Sequence, residues 1–488
     1  MSIRGFWQDI AEHPDDDAPR LILADWLEDH GDEAQAEFIR VQIRRARLPI
    51  HDPEQPGLAR REAELLARYE ARWAGDLSLV AKDWSFHRGV IEQVQVGHLA
   101  PLLDYLHEQP LPLRSVHWER LGELRHPDDL ARLRYLRELI AGYVALTAQE
   151  LAALVDSPHL QSLQHLHLQA AHLLGPLTVE MLFQAPWFKQ LKYLNLSMNN
   201  LTADSLRLLT ESSKLPNLRE LVLSYNNLIG NAGVIQLLRS PLARSLKLLD
   251  LSETGLTSRG IRDMASLPHL DQLETLRLAN NDLGGAGVEA LLRSPHLEGL
   301  RHLDLSGTRF GLRGLRALCE GSFLPNLTEL KIKNVLLGPD GLRDLLACPL
   351  LGQLQRLELS NNPLLARGAR LLAELSPKVL RLLDLSACQL GDAGLEQLCT
   401  STRLVNLHTL YLHGNGIGLG GIHALANTPY LPQLRVLGLR LNALDSQAVQ
   451  ALAASPYLQL TELQIGANSL RAEEREQLHD RFGGCVHD

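Results

Sequence analysis

Three histidines crowd a short stretch of this chain: His165 and His167 stand two apart, and His172 follows. Side chains two apart on a strand share a face, so this pair could present two imidazoles to a zinc ion. No cysteine or carboxylate is spaced to complete the ligand set, and no metal is expected there. The five cysteines (Cys319, Cys348, Cys388, Cys399 and Cys485) are odd in number and form no C-x-x-C pair. That pattern points to five free thiols in a reducing compartment. No G-x-S-x-G elbow and no Walker motif occurs, and no Ser, His and Asp arrangement stands out among 20 histidines. The expectation is a protein that is no enzyme, with no catalytic residue and no cofactor.

A second group of chemistry-bearing residues recurs at fixed intervals. Asp250, Arg277, Asp304, Lys331, Glu358, Asp384 and Tyr411 follow one another 26 or 27 residues apart, with Lys333 and Arg356 beside them. His413 and Arg440 extend the series at one end, and His167, Tyr193 and Tyr225 at the other. Alternating signs in one column have two readings. They could pair internally as a ladder worth under about 1 kcal/mol per exposed pair, or face a partner with complementary groups.

The spacing comes from a repeated frame. LKYLNLSMNNL starts at Leu191 and LRELVLSYNNL at Leu218, and the frame returns at Leu246, Leu273, Leu300, Leu327, Leu354, Leu380, Leu407, Leu434 and Leu460. LQHLHLQAAHL begins at Leu163, so twelve units run at a mean period of 27 residues, with fainter ones at Leu136 and Leu113. L-x-L alternation puts leucines on one face of a short strand and the residues between them on the other. The outward positions are the third, fifth, seventh and eighth of each frame, and the charged and aromatic columns lie there. The ninth position holds Asn199, Asn226, Asn281, Asn362, Asn415, Asn442 and Asn468. An amide side chain donates and accepts at once, which suits a turn whose backbone groups are buried. Thr254, Thr308 and Cys388 fill the same slot, whereas Val335 cannot bond through its side chain. The second half of each unit reads as a helix, as in GGAGVEALLRSPHL, stopped by Ser-Pro. The glycines that recur with the period, such as Gly287 and Gly314, suit packing better than a phosphate loop.

This L-x-x-L-x-L-x-x-N-x-L frame matches the leucine-rich-repeat signature. Over roughly residues 136–470 the chain resembles the ribonuclease-inhibitor-like class of that family. The resemblance implies an α/β solenoid, a horseshoe with a parallel β-sheet lining its concave face and helices on the convex side. Residues 15–42, DDDAPRLILADWLEDHGDEAQAEFIRVQ, resemble the bacterial repeat-companion domain that precedes repeat arrays, through Pro14, Asp15, Asp16, Asp17, Arg20, Leu21, Ala24, Asp25, Trp26, Leu27, His30, Gly31, Glu37, Phe38 and Ile39. The expected organisation is a helical companion domain over 1–48, a linker helix and N-terminal cap over 49–112, the array over 113–470, and a capping helix and tail over 471–488. A first strand is expected near Val90–Val96. The acidic run ahead of Glu37 reads as solvated helical faces or as a docking surface for a basic partner.

The net charge of -9 argues against a chain-wide nucleic-acid footprint. No run of 18 apolar residues predicts a membrane span, and the N-terminus carries no apolar signal region, so a cytoplasmic protein is expected. The expected function is protein recognition on the concave face, as an inhibitor, scaffold or regulatory subunit. The alternatives are a nucleic-acid or nucleotide sensor built on Arg277, Lys331, Lys333 and Arg356, and a regulatory subunit docking through the acidic N-terminal helices.

Overall fold

The computed structural model describes residues 3–49, 52–119, 124, 126–143, 146–171, 176–211, 215–268, 270–320, 324–374 and 379–487. His172 lies outside the described residues. The chain divides into two units, Met1–Asn226 and Asn227–Asp488.

The first unit opens on four helices: α1 (Ile3–Glu12), α2 (Ala18–Asp29), α3 (Glu33–Arg47) and α4 (Gln55–Ala74). Phe6 and Ile10, Leu23, Ala24 and Leu27, and Ala36, Ile39 and Ile43 bury one another between the first three helices, with Val90 completing the cluster. A hairpin follows, β1 (Asp83–His87) and β2 (Val90–Val96). It turns at Arg88 and Gly89, both at positive φ. A Cβ on Gly89 would run into the backbone of Ile39, so only glycine lets the hairpin approach α3. After α5 (Leu99–Glu108), β2 is joined in parallel by β3 (Ser115–Trp118), β4 (Glu138–Ile140), β5 (His165–His167), β6 (Tyr193–Asn195) and β7 (Glu220–Val222). The strand expected at 90–96 is there. Its partner β1 was not legible, because Asp83–His87 carries no leucine and no buried residue.

The second unit continues the pattern in parallel through β8 (Leu248–Asp250), β9 (Thr275–Arg277), β10 (His302–Asp304), β11 (Glu329–Lys331), β12 (Arg356–Glu358), β13 (Leu382–Asp384), β14 (Thr409–Tyr411), β15 (Val436–Gly438), β16 (Glu462–Gln464) and β17 (Val486–His487). A helix separates each strand of β8 to β16 from the next, and the closing helix Ala472–Phe482 precedes β17. β17 adds a two-residue strand to the edge, where the sequence suggested only a tail.

Three sets of contacts carry the stacking. The fourth-position leucines of the frame, Leu249, Leu276, Leu303, Leu330, Leu357 and their equivalents, are at most 1% exposed. Each fully buried leucine is worth about 1.5–3 kcal/mol of transfer free energy. The ninth-position asparagines form a ladder. Asn281 Oδ1 accepts from the N–H groups of Thr254 and Leu256 in the preceding unit, while its amide donates to the carbonyls of Leu251 and Leu278. Asn226, Asn362, Asn415, Asn442 and Asn468 accept and donate in the same way. Thr254 and Thr308 donate their hydroxyls to Leu251 and Leu305 carbonyls, and the Cys388 thiol lies 3.3 Å from the carbonyl of Leu359. A third ladder was missed. Ser294, Ser401, Thr428 and Ser455, at the ends of helices, each donate a hydroxyl to a carbonyl at or near the end of the previous unit's helix: Ala265, Ala373, Cys399 and Ala426, at 2.6–2.7 Å. Helix ends leave such carbonyls without intrahelical donors, so Ser294 and Ser455, each before a proline, tie unit to unit, as do Ser401 and Thr428. The recurring glycines pack as expected: a Cβ on Gly314 would sit 2.6 Å from Phe310 Cβ.

One expectation fails. Cys319 and Cys348 form a disulfide across 29 residues, leaving Cys388, Cys399 and Cys485 as free thiols. One period brings the helix end of one unit beside the helix end of the next, which linear spacing did not reveal. With two of the five cysteines bridged, the cysteines give no ground for a reducing compartment. Burial pushes the Cys388 and Cys399 thiols up to about 12, so both are inert at neutral pH.

Candidate binding face

In the second unit, the fifth-position column lies on adjacent strands in register: Asp250 beside Arg277, Arg277 beside Asp304, Asp304 beside Lys331, Lys331 beside Glu358, Glu358 beside Asp384, and Asp384 beside Tyr411. The aspartates among them have a structural task. Each strand ends at the fifth position, and the carboxylates of Asp250, Asp304 and Asp384 accept the N–H of Ser252, Ser306 and Ser386 two residues on, at 2.9–3.0 Å. The serine-rich seventh column is the other half of this cap. Asp250 and Asp384 are less than a tenth exposed, so they are poorer contact residues than their column position implied.

The cations are paired. Arg277 lies 3.5 Å from Asp250. Lys331 meets Glu329 and Glu358 at 3.1 Å each, Lys333 meets Glu358 at 2.5 Å and Asp384 at 3.7 Å, and Arg356 meets Glu329 at 3.5 Å. Glu329, a third-position residue passed over in the sequence, is the hub that joins Lys331 to Arg356. Burial disfavours the charged form of Lys331, yet Glu358 and Glu329 outweigh it and hold its pKa above the usual lysine range. Arg277, Lys331, Lys333 and Arg356 are therefore a compensated network and not an open basic patch.

Tyr411, His413 and Arg440 differ. The Tyr411 and His413 rings stack 5.5 Å apart at 23°. His413 Nδ1 accepts the backbone N–H of Arg440 at 3.0 Å, so the neutral ring carries its proton on Nε2. Burial holds the His413 pKa below its usual value. Gly438, next in the column, has no side chain because a Cβ would collide with the His413 ring. Beside Arg440, Leu441 is 64% exposed at a φ of 56°. The eighth position is left-handed throughout the described frames, from Ala170 to Ala467, and Asn and Gly suit it. Leu441 in the second unit, and Met198 and Tyr225 in the first, present large exposed apolar side chains from that conformation.

In the first unit, Ser115 donates to Glu138 at 2.7 Å, Glu138 lies 3.3 Å from His167 Nε2, and His167 stacks on Tyr193 at 4.5 Å. The hydrogen bond from His167, against burial and with help from Ser115, holds the Glu138 pKa at about 2. Glutamate stands between serine and histidine, so this trio does not couple a nucleophile to a base. Among the described residues no group of three His, Cys, Asp or Glu side chains could hold a metal. Tyr225 stands exposed and apart from this chain of contacts.

The acidic N-terminal run is largely consumed within the unit. Asp15 reaches Arg114 and Arg137, Asp17 reaches Arg47 and Arg88, Asp25 and Glu28 share Arg40, and Glu37 holds Arg61. Arg20 is fully buried and pairs with Glu92 of β2, which His87 and Arg114 also approach. The residues that carry the companion-domain resemblance thus fasten the helices to the first strands, instead of forming a free acidic face.

The leucine-rich-repeat family profile matches residues 214–238, 272–292, 299–319 and 377–399. No curated protein matches the chain. A chain from the Rad7 and Elc1 complex in yeast is 16% identical, with 60% of this chain and 79% of that chain covered and a TM-score of 0.38. A chain from the TLR13–ssRNA13 complex is 20% identical, with 78% and 66% covered and a TM-score of 0.41. With twelve copies of the frame, a parallel strand from each and an asparagine ladder through their turns, the chain is a leucine-rich-repeat protein.

Proposed function

We propose that the chain is a non-catalytic recognition protein that binds a partner protein on the strand face of its second unit, centred on Tyr411, His413, Arg440 and Leu441. One observation carries this reading: a stacked Tyr–His pair, an arginine and an exposed leucine in a left-handed turn gather around Gly438. Aromatic side chains and arginine dominate interface hot spots, and rigid strands lose little ordering entropy on binding. The charged residues from Asp250 to Asp384 form a neutralised surround in this reading. An inhibitor, scaffold or regulatory role fits it equally, and a cytoplasmic setting is part of the same proposal. The nucleic-acid sensor loses support because each cation of its patch meets a carboxylate.

The test is capture from the native host's lysate with quantitative mass spectrometry, followed by affinity measurement with the purified partner. Tyr411→Ala and Leu441→Asp should each weaken binding by about tenfold or more, with the thermal midpoint of the free protein held. Arg316→Glu, on an exposed helical face, is the control; Arg293 is unsuitable because it holds Glu289 and Glu320. Loss of binding in the control alone would place the interface on the helices. Salt-sensitive binding to random RNA at comparable affinity would favour the sensor.

A further inference from the structure

The first unit contains a cavity of about 290 Å³ away from the strand face, between α1, the end of α5 and the turn around residues 131–135. Trp7 and Ala11 of α1, Leu106 of α5, and Leu111, Ala131 and Tyr135 give it an apolar and aromatic lining, and Arg4, Arg132, Arg134 and His107 complete the wall. Among the described residues no carboxylate lines it. Glu12 lies nearby, engaged by Gln8 and by the hydroxyl of Tyr135.

The arginines of the first unit divide into those paired with acids and those that are not. Arg20, Arg40, Arg47, Arg61 and Arg137 each meet a carboxylate. Among the described residues Arg4, Arg132 and Arg134 meet none. Arg4 donates to the carbonyl of Glu108 at 2.6 Å, Arg132 contacts His107 Nδ1, and Arg134 lies 4.9 Å from the Tyr135 ring centre. Guanidinium groups are the side chains best suited to carboxylate, sulfonate and phosphate oxygens. Three of them around an aromatic cavity at the small end of ligand-site volumes, none in an ion pair among the described residues and only Arg134 acting on a nearby acid, Glu12, define a chemistry that the leucine-rich repeat does not require. We infer that this cavity binds a small organic anion with a flat apolar body, its ring against Trp7 and its charge at Arg132 and Arg134. The site is independent of the partner face, since all of its residues lie in the first unit.

The probe is anilinonaphthalenesulfonate, titrated into the full chain and followed by its own fluorescence and by quenching of tryptophan. Saturable binding of one equivalent is expected, displaced by naphthoate and not by the uncharged naphthalenemethanol. Arg132→Glu/Arg134→Glu should weaken it by about tenfold, and Trp7→Leu should remove most of the quenching, both with an unchanged thermal midpoint. Should a variant melt early, Arg132→Gln/Arg134→Gln replaces the reversal. Binding that survives the charge changes, equal displacement by the neutral competitor, or no saturable binding overturns the inference.

Discussion

The helices before the sheet and the strand face of the second unit use the same side chains, arginine with aspartate and glutamate, under different physical conditions. In the N-terminal region the decisive pair is out of water: Arg20 is 0% exposed and Glu92 5% at the side chain. Charges removed from water cost several kcal/mol each unless matched, so the pair ties α2 to β2 by making every other arrangement expensive. On the strand face Arg277 and Arg356 remain about half exposed, and their pairs lie at 3.5 Å. Solvent screens such contacts until they contribute little. Stability there comes from leucine burial and from asparagine amides, both of which are uncharged. Burial, and not the number of ion pairs, decides where charge becomes structural.

The largest expected effect tests that conclusion directly. Arg20→Met leaves Glu92 buried with weaker company and should cost about 3–5 kcal/mol, measured by denaturant unfolding. The double variant Arg20→Met/Glu92→Leu should recover most of the loss; if it does not, packing rather than charge holds this joint.

Acid should act next. Burial opposes ionisation of Glu92, but His87, Arg20 and Arg114 together hold its pKa below the ordinary glutamate value, and Glu138 is held at about 2. A depressed folded pKa means the unfolded chain takes up protons first, so the contribution is complete above the ordinary carboxylate range. It fades as pH falls from about 4 towards 2. Carboxyl NMR titration should show Glu138 still ionised at pH 3, and a Glu138 midpoint near 4 would remove this part of the comparison.

A smaller loss is expected from Asn281→Ala, about 1–3 kcal/mol, because the N–H groups of Thr254 and Leu256 lose their buried acceptor. An unchanged melting temperature would deny the asparagine ladder its structural role. Smallest of all, Arg277→Gln should shift stability by no more than about 1 kcal/mol, since its guanidinium is about half exposed and lies 3.5 Å from Asp250. A shift as large as that of Arg20→Met would show the strand-face network to be as structural as the buried one.

The repeat, its strands and its polar turns were legible in the sequence because each depends on local periodicity. Leucine at alternate positions points one way by pleat geometry, and Asn at the ninth position answers donors and acceptors only a turn away or one period back. A period of 27 residues converts that distance into a neighbouring strand, so the chain itself contains the rule. The Ser-Pro stops read as helix breakers, and the hydroxyls of Ser294 and Ser455 also reach a helix end of the preceding unit, a contact that appears only once units are stacked. The acidic run before Glu37 looked like solvated surface, since its partners Arg88, Arg114 and Arg137 lie as far as 122 residues along the chain. Asp250, Asp304 and Asp384 looked like contact residues until the strand ends placed backbone N–H groups against them. Gly438 looked like a gap in a column, and its neighbours show why no side chain can stand there. The amino-acid order alone determined what repeats and which face is apolar, because those follow from short-range geometry. Which charges are spent internally, which cysteines meet and which arginines gather around one cavity were decided only by tertiary structure, since each depends on which side chains meet once units stack or distant segments fold together.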